Sequence, residues 1–242
     1  MARHRPAAEG GYQRGEETRE RIVEAALGIF GENGYDGAST REIATAAGVN
    51  APALQYYFDN KEGLYVACIE FILKRVWLQV AAPVEAAEAL LQAGEADDQL
   101  LVDAHLQILG SFFAFILDTP QSTSWRQFMA REQAELGPPA AFERTDNAVH
   151  QRIGDITCAI VGRLTGMPAN HEETVIRTFA INSQAMAFRV LRRKVLAVLG
   201  WESIDCERME RVRDLLLAQT RLTLEGLAAQ RGKAQPVAPL LK

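Results

Sequence analysis

The sequence predicts an all-α protein. Two observations lead there. Apolar residues recur at three- and four-residue spacing through the long segments, and no stretch alternates at the two-residue period of a strand. Gly and Pro are also scarce inside those segments and cluster where helices must end.

The first predicted helix opens at Thr18, a plausible N-cap, with Arg19, Glu20 and Arg21 in its first turn. Ile22, Ala26, Ile29 and Phe30 recur at helical spacing and form its inward face. Gly34 suits the left-handed position after the last turn and lets Tyr35 fold back towards Phe30.

Residues 39–61 are the most informative stretch. Ser39 can cap a short helix, with Glu42 three residues on completing a capping box. Ile43, Ala44 and Ala47 give that helix a small apolar face. Gly48 then supplies a turn that needs positive φ, and Val49 is expected to be buried beneath it. Asn50 caps the next helix, and Pro52 lies in its first turn, where a missing N–H costs little. Leu54 and Phe58, at i and i+4, face inward, which leaves Gln55, Tyr56 and Tyr57 pointing away from the core. Two capped helices around a glycine turn, with polar and aromatic groups on the second, form a helix-turn-helix that can read a DNA groove.

The chain resembles the TetR family of ligand-responsive transcriptional regulators from about residue 18 to 71. The resemblance is carried by Phe30-Gly31-Glu32-Asn33-Gly34-Tyr35, Thr40-Arg41-Glu42-Ile43-Ala44 and Ala47-Gly48-Val49. It continues through Leu54-Gln55-Tyr56-Tyr57-Phe58 and Asn60-Lys61-Glu62-Gly63-Leu64. Gln55 stands where many family members carry Tyr, a departure that bears on base preference and leaves the fold unaffected. Phe128-Met129-Ala130-Arg131-Glu132-Gln133, Gly166 and Leu199-Gly200-Trp201 are similar to a CerR-type ligand-sensing subgroup. The resemblance implies an all-α protein with an N-terminal three-helix, helix-turn-helix DNA-binding domain and a C-terminal helical ligand-binding and dimerisation domain. The expected boundaries are 1–17 for a flexible arm, 18–62 for the DNA-binding domain, 63–231 for the effector and dimerisation domain, and 232–242 for a tail.

Further helices follow from apolar spacing and breakers. One runs from Lys61 towards Pro83, and a polar break at 92–98 precedes another over about 99–117. A short helix carries Trp125, Phe128, Met129, Arg131 and Glu132 and ends at Gly137-Pro138-Pro139. Long helices are expected over 142–164, 172–199 and 205–229. The last two are apolar on more than one face, so they need a partner beyond their own core. The family resemblance implies that they form a four-helix homodimer interface.

With 242 residues and 48% of them hydrophobic, the chain can bury a sizeable core in one or two domains. No secretory signal is expected at the start, and the apolar run 100–117 is interrupted by Asp103, His105 and Gln107. The protein is therefore expected in the cytoplasm. Cys68, Cys158 and Cys206 read as buried thiols within apolar helices. The formal net charge is −5, and residues 1–62 hold more acids than bases, so no broad basic stripe drives DNA association. A modest salt slope is expected.

Enzyme chemistry has no support. No Glu-x-x-His pair, His-Glu-x-x-His motif, phosphate loop or serine elbow is present. Asp146 and His150 share a helix face at i, i+4, the spacing of half a metal site, but are read in preference as a surface ion pair. Catalytic residues, metal and cofactor are all expected to be absent.

The implied function is a repressor that binds a near-palindromic operator as a dimer and is released by a small apolar or aromatic effector. Gln55 is the expected base reader, since its amide suits adenine, and Ala51, Pro52 and Ala53 can touch thymine methyls. Ser39, Thr40, Arg41, Asn50, Tyr56, Tyr57 and Lys61 complete the DNA face. The effector site would draw on Trp77, His105, Phe112, Phe115, Trp125, Phe128 and Met129, with His105 or Arg131 holding a polar end. Two rivals are a helical carrier or enzyme with an incidental first module, and a protein-interaction adaptor.

Overall fold

In this computed structural model residues 7–94, 97–115, 123–134, 136–138 and 148–232 are described, and every regular element among them is a helix. In chain order these are α1 (Ala7–Gly37), α2 (Thr40–Ala46), α3 (Ala51–Phe58), α4 (Lys61–Ala93), α5 (Asp98–Phe113) and α6 (Thr123–Gln133). Then come α7 (Ala148–Thr165), α8 (Glu172–Asn182), α9 (Gln184–Val190), α10 (Arg192–Leu199) and α11 (Cys206–Ala229). The chain divides into two compact units, Met1–Arg75 with Pro120–Asn147, and Val76–Thr119 with Ala148–Lys242. The helical segment 123–133, expected in the effector domain, thus belongs to the N-terminal unit.

In the first unit α1 begins at Ala7, well ahead of the expected Thr18 cap. The Thr18 hydroxyl donates to the Arg14 carbonyl 2.8 Å away, the back-bond of a mid-helix threonine, so it cannot serve as a cap. Ile22, Val23, Ala26, Leu27 and Phe30 form a fully buried stripe. Gly34 leaves helical geometry at φ 75°, ψ 175°, a region open only to glycine. Tyr35 then folds back to stack on Phe30, with ring centroids 6.1 Å apart.

Helix α6 packs on α1 and closes this unit. Phe128, fully buried, meets Tyr65 at 4.9 Å and Phe30 at 6.4 Å between centroids. Tyr65 in turn meets Phe30 edge-on at 5.0 Å, an arrangement that places positive ring edges on negative faces. Arg131 donates to the carbonyls of Gly31 at 3.1 Å and Glu32 at 3.2 Å, which satisfies acceptors that the end of an α-helix leaves open.

In the second unit α5, α7, α8 and α11 share a core that includes Leu101, Ile108, Phe113, Ile160, Leu164, Ile181 and Leu224. Pro83 does not end α4, as expected, but lies inside it. Val80, Val84 and Ala87 are fully buried around it, and this packing outweighs the lost backbone bond. The region 172–199 is three helices, not one. Ser183 (φ −82°, ψ −5°) and Leu191 (φ −92°, ψ 17°) interrupt it. Polar side chains flanking Ser183 are held inwards, Asn182 by Thr157 at 3.2 Å and Gln184 by Thr220 at 3.4 Å. Helix α7 is described only from Ala148, so the expected start at 142, and Asp146, lie outside the described residues.

Of the three thiols only Cys68 is buried; Cys158 is intermediate and Cys206 exposed. Cys206 is the first residue of α11, behind the Asp205 cap and ahead of the stripe that begins at Val212. Among the described residues no helix is long and apolar enough to cross a membrane.

Candidate nucleic-acid interface

Helices α2 and α3 are joined by a glycine turn. Gly48 sits at φ 64°, with its N–H bonded to the Thr45 carbonyl at 3.1 Å, while the Val49 N–H reaches the Ala44 carbonyl at 2.9 Å. That pair of bonds is a Schellman ending, and it turns the chain sharply into the next helix. Val49 is half-buried instead of buried. Ser39 stands at the N-cap of α2 in extended geometry but makes no side-chain cap bond. Asn50 does cap α3, its side-chain oxygen accepting from the Ala53 N–H at 2.8 Å, and Pro52 lies in the first turn.

Leu54 and Phe58 are buried beneath α3, which leaves Ala51, Pro52, Gln55 and Tyr56 exposed on its outer face. Tyr56 is 83% exposed, an unusual exposure for a ring unless it meets a partner. It packs edge-on to Tyr57 at 5.3 Å, so the two phenols hold each other in position. Ala53 and Tyr57 are intermediate, Asn50 and Arg41 are exposed, and Thr40 is half-buried. Ser39 is exposed. Arg19 lies over the Phe58 ring at 5.2 Å, joining α1 to the C-terminal end of α3.

The α3–α4 corner is tight. Asp59 adopts φ 58°, ψ −53°, close to the strained γ-turn geometry, with the Asn60 N–H bonded back to the Phe58 carbonyl. Asn60 caps α4 by accepting from the Gly63 N–H at 2.8 Å. A Cβ at position 63 would overlap the Phe58 carbonyl oxygen, so only glycine fits there. Lys61 donates to the Asp36 carbonyl at 3.4 Å and lies 4.7 Å from the Tyr35 ring centroid. Its ammonium therefore has a fixed starting position beside the helix pair. Sequence reasoning placed Lys61 on the DNA face but gave no site role to Asp59, Asn60, Gly63 or Arg19. An Asn three residues before a Gly at a helix start is the signal that could have found two of them.

The candidate effector residues divide between the units. Trp125, Phe128, Met129 and Arg131 lie on α6 in the first. Trp125 packs edge-on to Phe71 at 5.7 Å, and Arg75 covers both rings. Met129 is intermediate. Phe128 belongs to the aromatic core, and the Arg131 guanidinium is engaged with the end of α1. Trp77, His105, Phe112 and Phe115 lie in the second unit. Trp77 carries the Arg152 guanidinium 4.8 Å above its ring, and Arg152 forms a two-pronged pair with Glu88 at 2.6 Å. The pair holds the Glu88 carboxyl below its ordinary range. Phe115 is buried and Phe112 intermediate. His105 is wholly buried, its Nε2 3.1 Å from the Asn182 side-chain oxygen, and burial lowers its pKa to about 4.

Residues 22–68 match the model of the bacterial regulatory proteins of the tetR family. Residues 102–227 match that of the C-terminal domain of the HTH-type transcriptional dual regulator CecR. The chain is 30% identical to the HTH-type transcriptional dual regulator CecR of Shigella flexneri over 215 residues, which cover 89% of this chain and 95% of CecR. It belongs to the TetR family. The carboxyl-terminal subgroup expected as CerR-type is that of CecR. As a TetR-family member it is a helix-turn-helix, DNA-binding transcriptional regulator. Its fold is also that of AibR, crystallised with isovaleryl coenzyme A and operator DNA, with a TM-score of 0.58 at 16% identity over 84% of this chain and 97% of AibR. A transcriptional regulator from Pseudomonas aeruginosa PAO1 gives a TM-score of 0.62 at 14% identity, over 88% and 91% of the two chains.

Proposed function

We propose that this TetR-family regulator is a cytoplasmic repressor, without enzymatic activity, that binds a near-palindromic operator as a homodimer and is released by a small apolar or aromatic effector. The carrying observation is the outer face of α3, where Gln55 and Tyr56 stand exposed on a helix fixed by the Asn50 cap and the Gly48 turn. Gln55 reads a base edge, Ala51, Pro52 and Ala53 approach thymine methyls, and Tyr56, Tyr57, Arg41, Lys61, Ser39, Thr40 and Asn50 position the backbone.

One α3 of eight residues spans too few base pairs for specificity, so a second copy is required. Supporting a dimer are Ile176 and Phe179 on α8 and Leu215 and Leu222 on α11, all more than half exposed. Exposed apolar side chains at helical spacing on two helices of the second unit suit a second helix pair. Effector binding around α5 favours one recognition-helix spacing over the other through α4, which runs on from the DNA-binding unit. The effector need only differ in affinity for the two spacings.

A second reading comes from the CecR name. A dual regulator represses some promoters and activates others, and the 30% identity to it brings that behaviour within reach here. Selection of bound fragments from a random duplex pool tests the dimeric operator binding that both readings require. Recovery of a symmetric site with half-sites about 34 Å apart supports the dimeric regulator. An asymmetric or absent consensus overturns it. Sedimentation of Phe179→Glu and Leu222→Glu tests the interface, and a persistent dimer in both moves the contact elsewhere.

A further inference from the structure

The interior of the second unit holds an ordered chain of hydrogen bonds that ends on a bare acceptor. The Thr157 hydroxyl donates to the Ile153 carbonyl at 2.8 Å, its shortest bond. Its oxygen is then free to accept from the Asn182 amide nitrogen at 3.2 Å. That fixes which way the Asn182 amide points: its oxygen faces His105 Nε2 at 3.1 Å and accepts from it. The proton of the neutral ring therefore resides on Nε2. Nδ1 carries only a lone pair. His105 is 0% exposed, and its Nδ1 has no hydrogen-bond partner among the described residues.

A buried acceptor left open carries a desolvation cost that a donor would remove. The Asn182 end of the chain lies at the α8–α9 interruption, where the Gln184 side-chain oxygen is a second buried atom without a partner. We infer that His105 Nδ1 is the polar anchor of the effector site, and that it takes a neutral hydrogen-bond donor, a phenol, alcohol or amide N–H, in preference to a carboxylate. An anion would place its own lone pairs against that of Nδ1 in a low-dielectric interior, with no cation at the ring among the described residues to offset it. This rests on the effector-controlled reading above and narrows its ligand class.

The test uses the full-length protein labelled with 15N-histidine at pH 7, with phenol, toluene and benzoate as probes. Long-range 1H–15N spectra should show His105 Nδ1 as an unprotonated nitrogen before any probe is added. Phenol should then move the Nδ1 resonance towards its hydrogen-bonded range and bind about ten- to a hundredfold more tightly than toluene or benzoate. His105→Leu should erase that preference. A protonated Nδ1, equal binding of toluene or benzoate, or a resonance that phenol leaves unmoved would each overturn the inference. The last result would mean that the atom is closed to ligands or holds water alone. Operator retention is measured separately. Phenol bound at His105 with no change in operator binding leaves the anchor standing and counts against effector-controlled release.

Discussion

The Tyr65 hydroxyl donates to the Glu132 carboxylate at 2.8 Å, joining residues 67 positions apart within the DNA-binding unit. Burial raises both groups' pKa values, and the hydrogen bond alone works in the opposite direction on Glu132. Because the folded Glu132 pKa is raised, the cost of its charge is absent below the unfolded value and felt as pH rises through the folded one. Tyr65→Phe leaves the carboxylate half-buried without its donor. It should destabilise the protein by about 1–3 kcal/mol at pH 7, and by less as pH falls towards 4.5. Urea unfolding at the two pH values checks this; an equal loss at both would show that Glu132 does not sense the bond.

Gly63 and Gly48 make a controlled pair. Gly48→Ala meets nothing within 4 Å and suffers only from φ 64°, so it should cost about 1 kcal/mol. Gly63→Ala drives a Cβ into the Phe58 carbonyl and must displace either α3 or the start of α4. It should weaken operator binding at least about tenfold beyond Gly48→Ala, because either displacement shifts Gln55 on α3 relative to Lys61 at the start of α4. Gel-shift titration of both variants, with thermal unfolding alongside, separates folding loss from misplacement.

What the sequence shows clearly is what neighbouring residues decide. The Asn50 cap, the Gly48 turn and the inward pair Leu54 and Phe58 all act within one or two helical turns. Positive φ at Gly34 was legible for the same reason. The role of α6 was not, because Arg131 finds its carbonyl partner 100 residues away, at Gly31. Nothing local distinguishes an arginine that ends another helix from one that awaits a ligand. The interruption at Ser183 was hidden likewise, since Asn182 and Gln184 are held by Thr157 and Thr220 on other helices. Thr18 was ambiguous on local grounds alone: threonine suits both a cap and a mid-helix back-bond, and the helix upstream decides.

Gln55 and Arg41 should fail in different ways. Gln55→Ala removes an exposed amide whose side chain makes no hydrogen bond among the described residues, so stability should hold. Affinity for the selected site should fall by about 1–3 kcal/mol, with discrimination relaxed at one base pair in each half-site. Arg41→Ala should weaken all duplexes about equally and reduce the salt slope by about 1 for each copy of the residue. If Gln55→Ala weakens every sequence alike, the base-reading role belongs to another residue.

His105 gives the second unit a pH dependence of opposite sign to that of Glu132. Its pKa falls from 6.5 to about 4 on folding, with burial as the main cause and the Asn182 bond opposing it. Between those values the unfolded chain binds a proton that the folded protein refuses. Stability should therefore decline as pH drops from 6.5 towards 4, by about 3 kcal/mol at most, and be independent of this group above 6.5. His105→Leu removes the titration, so the difference in unfolding free energy between wild type and variant should change with pH only inside that window. Glu132 contributes equally to both proteins and cancels. A wild-type minus variant difference that is flat from pH 7 to 4.5 would mean that His105 titrates as it does in water, and hence that solvent reaches the ring.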